Sequence, residues 1–274
     1  MMTQGPWPAQ GRRSAGQRGA SLTDFSFAKA FDLTGKVAAI TGAAGGIGQA
    51  LARAFAERGA LVALVDRATR HVALAAELGG RHRAWTFDAG DEVSIKAFVG
   101  ECAAHFGGID ILVNNAGIGL LAPAESLPTE AWDQTMAVNA RAPFLFAREC
   151  AAHMLAKGWG RVVNIASQAS VIGIEGHVAY CASKAALVGM SNCLALEWGP
   201  RGVTVNSISP TVVETELAKV GWSGAKGDKA RAEIPTRRFA QPEEIALAAL
   251  YLASDAAAMV NGANLMVDGG YTIR

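Results

Sequence analysis

Cysteine is scarce in this chain: Cys102, Cys150, Cys181 and Cys193 are all there are among 274 residues, with no C-x-x-C pair and none at metal-ligand spacing with a histidine. A disulfide scaffold is thereby excluded. In so long a chain without a secretory signal, the thiols read as reduced, and a cytoplasmic protein is expected. The five histidines form no H-E-x-x-H cluster, so no metal is expected. No apolar run reaches about 18 residues without a charge or a helix breaker, so no membrane partner is expected. Charge of one sign is missing too. Lys+Arg of 25 against Asp+Glu of 24 leaves a net charge of +1, without the basic footprint of a nucleic-acid partner. Apolar residues are plentiful, at 51%, which excludes disorder over the whole chain.

Residues 1–24 differ from the rest. They are rich in Gly, Gln, Pro and Arg and include Arg12, Arg13 and Arg18, which reads as a flexible tail before one domain over 25–274. Beyond it, short apolar runs alternate with longer segments. Val37–Ile40, Leu61–Val65, Arg83–Phe87, Ile111–Val113, Arg161–Ile165, Val203–Ile208 and Asn264–Val267 read as strands. Helices are expected over Ile47–Arg58, Val93–Phe106, Glu130–Lys157, His177–Trp198 and Pro242–Ala253. Continuous apolar strands alternating with helices predict an α/β fold: a single Rossmann-type, doubly wound, seven-stranded parallel sheet with helices on both faces. Ligands of such sheets sit beyond the carboxyl ends of the strands.

The first strand runs into Thr41-Gly-Ala-Ala-Gly-Gly-Ile-Gly48. Gly42 permits a tight turn, Gly46 lets backbone N–H groups approach a pyrophosphate, and Gly48 lets the following helix pack close. The second strand ends in Asp66, eighteen positions beyond Gly48. A carboxylate there accepts both hydroxyls of an adenosine ribose and repels a 2′-phosphate, so NAD is favoured over NADP despite Arg67.

With Asn114-Asn-Ala-Gly117 after the fourth strand and Tyr180-Cys-Ala-Ser-Lys184 on the helix after the fifth, the chain resembles the short-chain dehydrogenase/reductase family from about Leu33 to Arg274. The residues support this on their own chemistry. Tyr180 and Lys184, at i and i+4, leave one helical face. An ammonium beside a phenol lowers its pKa and suits it to proton transfer at an alcohol or carbonyl oxygen. Ser167, just after a strand, can donate to the developing alkoxide. The resemblance implies that Ser167 polarises the reacting oxygen, Tyr180 transfers its proton, Lys184 contacts the nicotinamide ribose and Asn139 supports a proton-relaying water. It also implies cofactor contacts by Gly42, Gly46, Ile47 and Gly48, by Asp66 and Asp88, by Asn115, Ala116 and Gly117, by Tyr180 and Lys184, and by Pro210, Val213 and Thr215. Asn114 would hold the central strand. One departure stands out: Thr211 replaces the glycine that commonly follows the proline, which removes backbone freedom there.

Gln168 after Ser167, His177 one turn before Tyr180, and Pro210–Val213 resemble L-xylulose reductases and bacterial sugar-alcohol dehydrogenases, with threitol, erythritol and galactitol as candidate substrates. A polyol pocket needs groups that donate and accept, which Gln168 and His177 supply; Trp222 offers an apolar wall. The substrate-binding set is then Ser167, Gln168, His177 and Tyr180. A 3-oxoacyl-carrier-protein reductase is the alternative, with Arg237-Arg238 as a dock for an acidic carrier. A catalytically silent nucleotide sensor on the same fold would be marked by loss of the tyrosine or lysine, and both are present. In assembly, the resemblance implies a homotetramer in which the helices carrying Asn139 and Tyr180, and the Met266–Thr272 segment, form the two-fold contacts.

Overall fold

The computed structural model describes residues 26–27 and 29–274. The tail over 1–24 lies outside the described residues. Seven strands form one parallel sheet: β1 (Val37–Thr41), β2 (Leu61–Asp66), β3 (Arg83–Thr86), β4 (Ile111–Asn114), β5 (Gly160–Ile165), β6 (Val203–Pro210) and β7 (Asn264–Val267), in the order β3-β2-β1-β4-β5-β6-β7. β1 lies between β2 and β4, with Ala39 paired to Ala63 on one side and to Leu112 on the other. The chain winds outward from β1 to β3 and then returns to β4. The connections after β1 and β4 therefore leave in opposite directions, and a crevice opens at their carboxyl ends.

Nine α-helices accompany the sheet among the described residues: α1 (Gly46–Glu57), α2 (Arg70–Glu77), α3 (Glu92–Phe106), α4 (Thr129–Met136), α5 (Ala142–Lys157), α6 (Val178–Trp198), α7 (Glu216–Gly221), α8 (Gly224–Glu233) and α9 (Pro242–Ala253). The period-two alternation of a strand divides the core into two layers. Ala38 and Ile40 of β1 pack with Leu51 and Phe55 of α1 and Ile245 and Leu250 of α9. Val37 and Ala39 pack with Phe98 of α3, Phe146 and Cys150 of α5 and Leu194 of α6. Cys102 and Cys150 are both buried in this second layer, where burial pushes the Cys102 thiol up to about 12 and Cys150 up as well. Such thiols pack as small apolar groups.

All seven expected strands form. The expected helix over Glu130–Lys157 is interrupted by a π turn at Ala137–Arg141, which carries Asn139. Pro143, in the first turn of α5, has no N–H for the Asn139 carbonyl four residues earlier, so the ladder shifts register there. The short helices α2, α7 and α8 were not expected. Among the described residues no helix is long and apolar enough to cross a membrane, and no group of three His, Cys, Asp or Glu is placed to hold a metal.

Candidate active site

Steric constraint shapes the turn after β1. Gly42 has φ +67°, which side-chain-bearing residues rarely adopt, and a Cβ there would lie 2.8 Å from Cα of Ala116. A Cβ on Gly48 would lie 2.1 Å from the Gly42 carbonyl oxygen, so the first turn of α1 sits directly on the glycine turn. Gly46 instead faces the Thr215 methyl group. Gly45 caps α1 without any side-chain hydrogen bond, and no acidic residue occupies the first turn. The helix therefore presents uncompensated N–H groups and the positive end of its dipole to whatever lies in front. In front lies an open cleft of about 930 Å³, lined by Gly42, Gly45–Gly48, Asp66, Asn115–Gly117 and Thr215. These residues fit a dinucleotide: a glycine cradle, an uncapped helix N-terminus for its phosphates and a carboxylate on the far wall.

The cleft walls are tied together by hydrogen bonds. Asn115 Nδ2 donates to the carbonyls of Thr41 and Gly42, each at 3.0 Å, while the Thr41 hydroxyl accepts from the Asn115 and Ala116 N–H groups. Asp66 accepts from the N–H of Ala44 through Oδ2 and of Ala68 through Oδ1, both at 2.9 Å. Arg70, not Arg67, is the basic residue on this part of the lining. Asp88 is exposed, off the lining, with Oδ1 accepting from the Gly90 N–H. Pro210 and Val213 are also off the lining: Pro210 pairs with Val267 at the end of β6, and buried Val213 bridges to Ala240. Thr215 caps α7 through its hydroxyl. Thr211 is not strained, because Arg237 is the sole non-glycine with positive φ among the described residues.

Beyond Gly117, off the cleft lining, stands the second group of expected residues. The Ser167 hydroxyl stands beside Tyr180, near enough to act against the upward push of burial on its phenol. Ser167 also accepts from the Ala169 N–H, capping a short 3-10 turn over Gln168–Ser170. Lys184, almost fully buried, donates to the Ile165 carbonyl at 2.8 Å, and its Nζ lies 5.7 Å from the Tyr180 ring centroid. Burial pulls the Lys184 ammonium down to about 8. The Tyr180 hydroxyl moves up from its ordinary value, because burial outweighs the opposing effect of Ser167. The Lys184 ammonium is directed to the Ile165 carbonyl, and no hydrogen bond joins it to the Tyr180 hydroxyl. Asn139 is fully buried, donating to the Ile118 carbonyl and to Ser183 Oγ and accepting from the Ile118 N–H. Asn139 and Lys184 converge on Gly117, where an added Cβ would lie 3.4 Å from each.

The two expected polyol contacts differ. The His177 ring stands edge-to-face with Tyr180 at 6.2 Å, with Nδ1 facing the Glu175 carbonyl at 2.7 Å. Gln168 is 8% exposed, and its Oε1 is enclosed without a hydrogen-bond partner. Trp222 packs against Phe239 with Lys226 over its face. The possible basic dock is engaged internally: Arg238 forms a two-pronged pair with Glu244, and Arg237 donates to the Ala232 carbonyl.

Beyond Asn114, expected to hold the central strand, sequence reasoning missed the residues that fix α6 to the sheet. Asn114 donates to Asn164 at 2.8 Å, Asn164 to Ser191 at 2.8 Å, and Ser191 meets Ser207 at 2.9 Å. Ser170 meets Ser209, which donates to Asn264, tying the turn after Ser167 to β6 and β7. Polar residues inside otherwise apolar strands were the available signal.

A family model described as enoyl-(acyl carrier protein) reductase matches residues 42–272. A D-threitol dehydrogenase of Mycolicibacterium smegmatis is 54% identical over 248 residues, covering 89% of this chain and 95% of that protein. An NAD-dependent glycerol dehydrogenase of Listeria innocua serovar 6a is 48% identical over 254 residues, covering 92% and 100%. Among solved structures, a gluconate 5-dehydrogenase of Burkholderia cenocepacia J2315, in complex with NADP and tartrate, superposes with a TM-score of 0.86 at 35% identity, covering 90% of this chain and 98% of that one.

Lys184 gives a stability prediction. Its pKa is lowered on folding, so the unfolded chain binds the proton more tightly, and stability is lost as pH falls from about 10.5 through about 8. Lys184→Met removes the buried charge. It is expected to raise the melting temperature by roughly 2–6 °C at pH 7, with the gain shrinking between pH 8 and 10. Calorimetry across that range checks it; a variant less stable than wild type at pH 7 contradicts it.

Proposed function

The chain belongs to the short-chain dehydrogenase/reductase family, and from that premise we infer that it interconverts a small polyol and its ketose, using NAD, with Tyr180 as the acid/base. That it is an NAD(P)-dependent oxidoreductase of CH–OH groups follows from the family. The placing of Ser167 and Tyr180 beside buried Lys184, whose Nζ reaches Gly117 on the cleft wall, carries the assignment of roles.

When bound, the nicotinamide accepts or supplies the hydride. Gly42, Gly46, Ile47 and Gly48 would hold the pyrophosphate at the start of α1, Asp66 the adenosine ribose, Asp88 the adenine, and Asn115–Gly117 with Pro210, Val213 and Thr215 the remainder. Ser167 holds the substrate oxygen by donating to it. Tyr180 takes the proton from the alcohol in oxidation and returns it in reduction. Lys184 stabilises the phenolate once its charge is turned from the Ile165 carbonyl toward the ribose and the tyrosine. Asn139 keeps Ile118 in place and supports the water through which the proton leaves.

Polyol chemistry is supported by the similarity to the threitol and glycerol dehydrogenases and by His177 at the edge of Tyr180. NAD is supported by Asp66 and by the coenzyme of the glycerol dehydrogenase, against the NADP held by the gluconate dehydrogenase. A carrier-protein reductase is disfavoured because Arg237 and Arg238 are both engaged internally. We further infer a cytoplasmic homotetramer; its association is favoured by the exposed apolar residues Phe144 on α5 and Val178 and Leu196 on α6, and light scattering reading one protomer contradicts the assembly.

Tyr180→Phe is expected to lower turnover at least ~100-fold while NADH affinity stays within about twofold. Retention of more than half the wild-type rate removes Tyr180 from the chemistry.

In a screen of C3 to C6 polyols with both coenzymes, the wild type is expected to prefer NAD, and Asp66→Ser to narrow that preference, with Arg70 available to a 2′-phosphate. A wild type preferring NADP overturns the Asp66 role. One that reduces an acetoacetyl thioester with NADPH far better than it oxidises any polyol establishes the alternative.

Gln168→Ala and His177→Ala are expected to lower kcat/KM several-fold for the polyol and much less for a simple secondary alcohol. Equal losses on both substrates assign them to support of the fold. For Gln168 the expectation requires its carboxamide to turn out of the enclosure that now holds Oε1.

A further inference from the structure

The wall of the cleft at Asp66 is built by more than Asp66. Its carboxylate spans two backbone N–H groups, Ala44 in the glycine turn and Ala68 in the bend after β2. The Ala68 peptide is held from its other side as well. His71, in the first turn of α2 and 0% exposed, has Nδ1 2.6 Å from the Ala68 carbonyl oxygen and Nε2 2.9 Å from the Trp85 carbonyl oxygen of β3. Trp85 is itself fixed, its indole N–H donating to Glu101 of α3 at 2.9 Å and its ring packing edge-on against Phe98. A continuous set of close polar contacts thus runs from α3 through Trp85, His71, Ala68 and Asp66 to the glycine turn. Asp66, Ala68 and Arg70 line the cleft, whereas His71 lies behind it.

An imidazole is an expensive way to fill an apolar space: its nitrogens must be partnered or they carry a desolvation cost. Here both nitrogens face carbonyl oxygens, one in the bend that bears the ribose-facing carboxylate and one on the strand beside it; a neutral imidazole carries a single N–H, which the shorter contact assigns to Nδ1 donating to Ala68, with Nε2 lying against the Trp85 carbonyl. We propose that His71 is a positioning residue for coenzyme recognition, fixing the bend after β2 against β3 so that Asp66 presents its carboxylate to the ribose hydroxyls. The inference rests on the reading of Asp66 given above. It implies that part of the preference for an unphosphorylated ribose comes from a side chain that does not touch the coenzyme. Without the ring, the Ala68 carbonyl loses its partner, the bend relaxes, and the Asp66 carboxylate loses its fixed angle.

Three variants separate the two contacts. His71→Asn places an amide donor where Nδ1 stands, His71→Gln reaches the place of Nε2, and His71→Leu has neither. NADH and NADPH affinities are measured by fluorescence titration on the full chain, with the melting temperature recorded alongside. The Gln and Leu variants are expected to bind NADH about three- to tenfold more weakly, with NADPH affinity little changed, so the ratio narrows; Asn stays within about twofold of wild type. Should Leu fail to fold, Gln against Asn carries the comparison. Equal weakening of both coenzymes, or an unchanged ratio with a lowered melting temperature, makes His71 a purely structural residue and overturns the inference. Asp66→Ser is run in parallel. If it shifts the ratio while the His71 variants do not, only the present inference fails. If it leaves the ratio unchanged, the Asp66 reading fails and this inference with it.

Discussion

The carboxamide of Asn115, donating to the carbonyls of Thr41 and Gly42, ties together two strand ends whose connections run in opposite directions. The order of the sheet creates the crevice between β1 and β4. That order alone would leave the carbonyls at its rim to water and the turn free to move. Thr41 adds two more bonds across the gap, and the contact is so close that Gly42 has no room for a side chain. The start of α1, the Asp66 wall and the Asn115–Gly117 segment all take their positions from this junction, because each is bonded or packed directly onto it.

A second constraint is the cost of polar groups buried near the chemistry. Lys184 is a buried ammonium with the Ile165 carbonyl as its hydrogen-bond acceptor, and Asn139 is fully buried with its carboxamide bound to Ile118 and Ser183. Neither arrangement is the most stable filling of that space. Both bring polar atoms to Gly117, where the cleft meets the tyrosine. The chain Asn114–Asn164–Ser191–Ser207 fixes α6 against β4, β5 and β6, which limits how far Tyr180 and Lys184 can drift from Ser167. Buried networks of this kind hold position well because each unmade bond would be costly in a low-dielectric interior.

Legibility in the sequence followed the range of the interactions. The inner strands β1, β2, β4, β5 and β6 were readable because a strand buried on both faces needs a continuous apolar run, while β3 and β7, at the sheet edges and only partly buried, were readable from short apolar runs spaced between helices. The glycine turn was readable because its steric demands act over a few residues, and Tyr180 with Lys184 because helical spacing puts them on one face. The break at Ala137–Arg141 had a local cause in Pro143, yet the residues around it carry no other breaker, so the segment read as one helix. α2, α7 and α8 are short, and α8 has almost no apolar stripe to announce it.

The sequence by itself determined the order of elements, the place of the crevice and the residue types around it, since these depend on periodicity, backbone sterics and local spacing. The tertiary structure alone decided which atoms meet. Lys184 turns to a carbonyl nineteen residues earlier, the Gln168 oxygen is enclosed, Arg70 rather than Arg67 lines the cleft, and His71 bridges α2 to β3. Each of these rests on the relative height and rotation of elements packed from distant parts of the chain. A shift of one residue in register reverses them without altering any local pattern.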